Sequence, residues 1–252
     1  MIKRRKSKEI SIGNVKIGNN APISVQSMCN TDTRNVKATL HQICEMADRG
    51  CELVRLAVLN QDASDAIKEI VAKSPLPLIA DIHFDYKLAI KCINNGINAL
   101  RLNPGNIGKR ENVEQVVKLA KQQQIPIRIG VNAGSLEKDL QDKDIPLSEK
   151  MVLSALGHIK ILEDLDFDLI KVSLKSSDVL TTIEAYRSIA EKIPYPLHLG
   201  VTEAGTMRGG LIKSSVGLGT LLAEGIGDTI RVSLTENPVE EVSAGFDILK
   251  SL

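Results

Sequence analysis

Apolar residues come in short bursts along this chain, and each burst is followed by a longer stretch with helical spacing. The bursts are "PISVQSM", "ELVRLAV", "PLIADIHF", "ALRLNP", "IPIRIGVN", "DLIKVSLK", "PLHLGVT" and "DTIRVSL". Rich in Ile, Leu and Val and bounded by Gly, Pro and Asn, they read as strands. Between them lie stretches such as "RNVKATLHQICEMADRG" and "ENVEQVVKLAKQQQ"; after the last comes "NPVEEVSAGFDILKSL". There an Asn-Pro start and the spacing of Val239, Val242, Phe246 and Leu249 predict a helix. Strands alternating with helices imply βαβ units and a parallel sheet. Eight such units over about 230 residues fit an α/β fold of the (β/α)8 TIM-barrel type, which typically takes ~250. The rival, an open doubly wound sheet, would carry G-x-G-x-x-G after its first strand, and this chain does not. The opening "EISIGNVKIGN" predicts a short N-terminal β-hairpin, placed to cap the barrel bottom. Residues 1–20 form this tail and hairpin, and 21–252 form the barrel, with no linker inside it.

Strand alternation then sorts the polar residues. In the fifth strand Ile125, Ile127, Ile129 and Val131 must face the helices, so Arg128 and Asn132 point to the barrel axis. The same logic turns Gln26 and Asn30 inward on the first strand, and Arg55 on the second. The third strand contributes Asp81 and His83, the fourth Arg101 and Asn103, the sixth Lys171 and Ser173. The seventh contributes His198 and Thr202, the eighth Arg231 and Ser233. Five inward cations (Arg55, Arg101, Arg128, Lys171, Arg231) face few inward acids. Unpaired buried charges cost several kcal/mol each, so an anionic ligand is expected, a phosphate ester or diphosphate above all. The strands lead into "NPGNIG", "NAGS" and "EAGTMRGG", whose glycines let backbone amides approach a ligand. The C-terminal rim where these loops sit is the catalytic face of such barrels. His83 beside Asp81, and Glu203 at the rim, are the acid–base candidates. His198 reads equally well as a satisfied core residue. His41 and His158 fall on helices and are expected to be exposed.

Composition narrows the function further. A net charge of +1 exerts no global pull on nucleic acid or membrane. There is no Trp, and three Phe with three Tyr leave little for stacking on bases. No apolar run approaches the ~20 residues of a membrane span. The basic start "IKRRKSK" lacks the apolar segment of a secretory signal and reads as a solvated tail. Cys29, Cys44, Cys51 and Cys92 show no C-x-x-C spacing, which suits buried or incidental thiols in a reducing cytoplasm, with no metal site.

The segments "ADIHFDYKLA", "LRLNPGNIG", "IPIRIGVNAGSLEKDL", "KVSLKSSDV", "LHLGVTEAG" and "GFDILKSL" closely resemble the 4-hydroxy-3-methylbut-2-enyl diphosphate synthase family of bacterial isoprenoid synthesis, which uses the methylerythritol phosphate pathway. The resemblance runs from about Arg4 to Leu252. It implies a barrel that binds 2-C-methyl-D-erythritol 2,4-cyclodiphosphate, whose ring is opened and dehydroxylated by a two-electron reduction. Electrons in the family come from flavodoxin or ferredoxin through a [4Fe–4S] cluster. By resemblance, Arg55, His83, Arg101, Asn103, Arg128, Asn132, Lys171, Arg231 and Ser233 hold the diphosphate and diol, and Glu203 delivers a proton to the departing hydroxyl.

The family continues into a smaller C-terminal domain with three cluster cysteines and a glutamate ligand, and acts as a homodimer in which that domain covers the partner's barrel. The present chain stops at Leu252, and none of its cysteines maps onto the cluster ligands; Cys29 stands where the family pattern has Thr. The expectation is a barrel without redox centre or lid, inactive alone, from a fragment, a split gene or a decayed gene. Two other readings stay open: a Schiff-base aldolase acting through Lys171, and a non-catalytic diphosphate-binding remnant.

Overall fold

A computed structural model describes residues 2–252. An antiparallel hairpin, β1 (Ile10–Ile12) and β2 (Val15–Ile17), precedes the barrel. The eight expected strands follow: β3 (Ser24–Met28), β4 (Leu53–Ala57), β5 (Leu78–Asp81), β6 (Ala99–Arg101), β7 (Ile127–Asn132), β8 (Ile170–Lys175), β9 (His198–Leu199) and β10 (Thr229–Ile230). All pair in parallel, in the order β8-β7-β6-β5-β4-β3-β10-β9. A single bridge between Val172 and Leu197 closes the ring. The last two strands are much shorter than the sequence suggests. Pro194 and Pro196 precede β9 and have no N–H to donate to a ladder.

The helices are α1 (Val36–Asp48), α2 (Gln61–Lys73), α3 (Tyr86–Asn94), α4 (Arg110–Gln122), the one-turn α5 (Lys138–Gln141), α6 (Leu147–Glu163), α7 (Val179–Lys192), α8 (Met207–Ala223) and α9 (Pro238–Lys250). Side-chain caps start many of them where a strand has just ended. Asn60, Asp85, Asp178 and Asn237 each accept from a backbone N–H of the first turn, and Pro238 occupies the position where a missing N–H costs nothing.

A parallel barrel of this kind advances its register by one residue per strand, so alternate strands fill successive interior layers. Reading the register round the ring gives the lowest layer as Leu53, Ala99, Lys171 and Thr229. Above it lie Gln26, Ile79, Arg128 and His198, then Arg55, Arg101, Ser173 and Arg231. The bottom is sealed by apolar packing: Ile10, Ile12 and Ile17 of the hairpin meet Leu53, Ile79 and Ala99.

The basic start is not a solvated tail. Arg5 donates to the carbonyls of Ala190, Ile193 and Tyr195, at and beyond the C-terminus of α7. Carbonyls at a helix end lack intrahelical partners, and a cation suits that end of the dipole. Arg4 donates to Ala21 and pairs with buried Asp228 at 3.4 Å, which Ser7 also binds. The arm thus ties the hairpin to the last turns of the barrel.

Candidate active site at the barrel mouth

Ten of the inward residues named from alternation line one cavity at the C-terminal end of the strands: Arg55, Asp81, His83, Arg101, Arg128, Asn132, Ser173, Thr202, Arg231 and Ser233. Asn103 sits beside it, in an adjoining recess with His83, Arg101, Asn106 and Asn132. Its amide grips the backbone of Gly130 from both sides, accepting at 2.8 Å and donating at 3.1 Å.

Acids answer part of the positive charge, more than the sequence reading allowed. Asp81 lies 3.5 Å from Arg55, 3.2 Å from Arg101 and 3.5 Å from His83. Burial alone would raise its pKa. The Arg55 charge, the His83 hydrogen bond and the Arg101 charge outweigh burial and hold the carboxyl far below its usual range. Arg231 is gripped by both oxygens of Glu241, at 3.0 and 3.1 Å. Glu241 comes from α9, and also accepts from Ser27. Strand alternation cannot reveal it, because it lies on a helix. The signal was present: Glu241 shares the buried face of α9 with Pro238, Gly245 and Ile248, an odd place for a carboxylate without a partner.

Arg128 has no such answer. It is 3 % exposed, and its Nε and Nη1 find no protein acceptor. Burial and the neighbouring Arg55 and Arg101 charges push its pKa well down. Arg55 and Arg231 converge on the sulfur of Met28, a weak acceptor. A ring of guanidinium donors around a small polar cavity is suited to phosphate oxygens.

Lys171, expected on the ligand, and Lys175, which the sequence reading did not name, lie at different depths. Lys171 lies in the lowest layer, is 1 % exposed, and does not line the cavity. Lys175, two positions beyond Ser173 on the same face, does line it. Alternation along "KVSLK" would have found Lys175 had the strand been followed to its end. Its ammonium reaches down past Gly200, where any side chain would collide with it, to within 3.3 Å of His198 Nε2. His198 is wholly buried, and its Nδ1 lies 2.8 Å from Thr229 Oγ1. It is the satisfied core histidine, with burial and the Lys175 charge pushing its pKa well down. Gly130 makes similar room for Arg101, whose guanidinium occupies the place of a Cβ.

Glu203 stands exposed on the rim, just past Thr202, with φ +49°. A non-glycine residue in this region is strained, and such strain concentrates at functional loops. The expectation of exposed helical histidines holds for His41 on α1 and fails for His158, which is 4 % exposed on α6 and bonded on both ring nitrogens.

The cysteines do not converge. Cys44 is exposed on α1, Cys92 is buried on α3, and Cys29 and Cys51 are buried at the ends of strands. Burial pushes the thiols of Cys29 and Cys92 up to about 12 and that of Cys51 to about 11, the wrong form for a thiolate ligand. Among the described residues, no three His, Cys, Asp or Glu side chains are grouped to hold a metal ion. These residues do not fit a [4Fe–4S] cluster. No helix among the described residues is long and apolar enough to cross a membrane.

Comparison with known proteins places this geometry. The chain superposes on a dihydropteroate synthase from Xanthomonas albilineans, with a TM-score of 0.69, covering 98 % of this chain and 97 % of that one. At 12 % identity this likeness concerns the fold alone. Residues 7–246 match the GcpE TIM-barrel domain. A 4-hydroxy-3-methylbut-2-en-1-yl diphosphate synthase (flavodoxin) from Geobacter sulfurreducens is 61 % identical over 250 residues, 99 % of this chain and 71 % of that protein. The corresponding protein of Clostridium perfringens is 58 % identical over 249 residues, again 71 % of its length. The chain therefore belongs to the 4-hydroxy-3-methylbut-2-en-1-yl diphosphate synthase family and corresponds to its TIM-barrel domain.

Proposed function

We propose that this barrel is the substrate-binding part of a 4-hydroxy-3-methylbut-2-en-1-yl diphosphate synthase, and that its cavity takes 2-C-methyl-D-erythritol 2,4-cyclodiphosphate. The observation that carries this reading is Arg128, a buried guanidinium without a protein acceptor at the floor of a cavity ringed by cations. Arg55, Arg101, Arg128, Lys175 and Arg231 hold the diphosphate. Asn103, Asn132 and Ser233, which carry neutral donors and acceptors, hold the diol. His83, 43 % exposed and braced by Asp81 and Arg101, and Glu203 on the rim are the groups able to move protons as the ring opens and a hydroxyl leaves. The two electrons of that reduction have no source among these side chains. In the relatives, flavodoxin dependence stands in their name; here an electron donor, a cluster-bearing partner region, a homodimeric assembly and a cytoplasmic setting belong to the same proposal.

An aldolase-type Schiff base at Lys171 has no support, since that amine lies beneath the cavity rather than on it. Calorimetric titration tests the main reading. The chain should bind the cyclodiphosphate with clear heat, and the uncharged 2-C-methylerythritol should give none. Equal heats from both ligands would remove the cationic ring from the argument.

A further inference from the structure

Behind the polar recess at the mouth lies a clamp that the proposed reaction does not yet use. His158 projects from α6 between two rim loops. The backbone N–H of Gly105, in the turn after β6, donates to its Nδ1 at 3.2 Å. Its Nε2 lies 2.9 Å from Glu137 Oε1, in the loop after β7. An Nδ1 that accepts must be unprotonated, so the ring proton sits on Nε2 and is donated to Glu137. Ser154, also on α6, adds a second hydrogen bond to the same oxygen at 3.1 Å. The fit is close: a Cβ on Gly105 would stand 2.8 Å from His158 Cε1.

The two clamped loops are the two walls of the recess. One runs from Asn103 through a single turn to Asn106, closed by an Asn106 N–H to Asn103 carbonyl bond of 2.9 Å. The other runs from Asn132 past Ser135 to Glu137. Asn103, Asn106, Asn132 and Ser135 line the recess with neutral amides and a hydroxyl, beside His83, Phe84 and Arg101. The cationic ring is built differently, on strands and on carboxylates from β5 and α9. We propose that His158 is a positioning residue that sets the spacing of the recess, and through it the recognition of the carbon skeleton rather than of the phosphates. Burial, opposed by Glu137, lowers the pKa of His158 and keeps the ring neutral as the clamp requires.

The inference rests on the ligand reading given under Proposed function, and one set of titrations separates the two. The ligands are the cyclodiphosphate and inorganic diphosphate, which has no carbon skeleton. His158→Gln presents a donor near the Nε2 position but loses the acceptor for Gly105. His158→Asn presents a carbonyl near the Nδ1 position and restores that acceptor. Affinity of His158→Gln for the cyclodiphosphate should fall about tenfold, with inorganic diphosphate unchanged, and His158→Asn, which keeps the Gly105 acceptor but releases Glu137, should show the same selective loss. Gly105→Ala, which pushes the ring away from the opposite side, should reproduce the selective loss without altering His158. Equal losses for both ligands, or no loss in either variant, would overturn the positioning role. A wild-type chain that binds neither ligand would overturn the ligand reading and this inference with it.

Discussion

The two ends of this barrel solve opposite problems with the same strands. At the lower end, Leu53, Ile79 and Ala99 meet three isoleucines of the hairpin, all nearly without exposure. At the upper end the same strands present Arg55, Asp81 and Arg101. β4 changes from a core residue to a cation in two positions, Leu53 to Arg55. The lower end gains from removing apolar surface from water, a term that needs no particular geometry. The upper end holds charges that the protein satisfies only in part, so its stability is incomplete where its ligand is to bind. The hydrophobic end supports the strained electrostatics of the other.

The largest effect should come from breaking the lower end. Ile12→Ala removes a fully packed side chain from the seal and should cost about 2–5 kcal/mol of stability. Chemical denaturation would read the loss, and calorimetry should still find near wild-type affinity in the molecules that remain folded. A matching loss of affinity would mean that the two ends are coupled rather than divided.

Breaking the upper end should do the reverse. Arg128→Met should weaken cyclodiphosphate binding by about 1.5–3 kcal/mol, the range of a charge-assisted hydrogen bond. Its denaturation midpoint should hold or rise, because an unpaired buried charge has been replaced by an apolar chain. A destabilised variant with unchanged affinity would reverse the assignment of Arg128.

The smallest effect is a pH dependence that sharpens the contrast. The folded pKa of Asp81 lies far below the ~3.9 of an unfolded aspartate. Its contribution is therefore complete above the unfolded value and is lost as pH falls toward the folded one. Below about pH 4 the wild type should lose stability faster than Asp81→Asn by up to ~1.4 kcal/mol per pH unit. Parallel curves in acid urea titrations would show that Asp81 is not the group that anchors Arg55 and Arg101.

The barrel was legible because its signals are local and repeated: eight apolar bursts, each followed by a capped helical stretch, and one inward face per strand. What escaped depended on elements far apart in the chain. Glu241 pairs with a strand cation from a helix, and no strand pattern could supply it. Arg4 and Arg5 look like a free basic tail until Asp228 comes to lie beside Arg4 and the end of α7 beside Arg5. His158 looked like an exposed helical histidine because the loops that bury it belong to other βα units. Lys171 and Lys175 share a face, and only the depth of each layer tells which one meets the cavity. The structure gathers most of the residues of the expected site around one cavity and leaves Lys171 beneath it.

The short seam where the ring closes has a consequence for how the molecule breathes. β7 and β8 share six register pairs, whereas β8 and β9 are joined by one bridge and β9 and β10 span two residues each. Local opening follows the weakest ladder, so backbone amides of Leu199, Ile230 and Arg231 should take up deuterium well before those of Ile129 and Val131, which face β8. The rim segment bearing Glu203 follows directly from that seam, and Arg231 leaves it toward Ser233. The cavity wall formed by Val201, Thr202, Arg231 and Ser233 therefore hangs on a hinge-like sector, while Arg101 and Arg128 stand on the rigid one. A ligand that bridges Arg128 and Arg231 would draw the two sectors together, and the slowing of deuterium uptake across β9 and β10 would record its arrival.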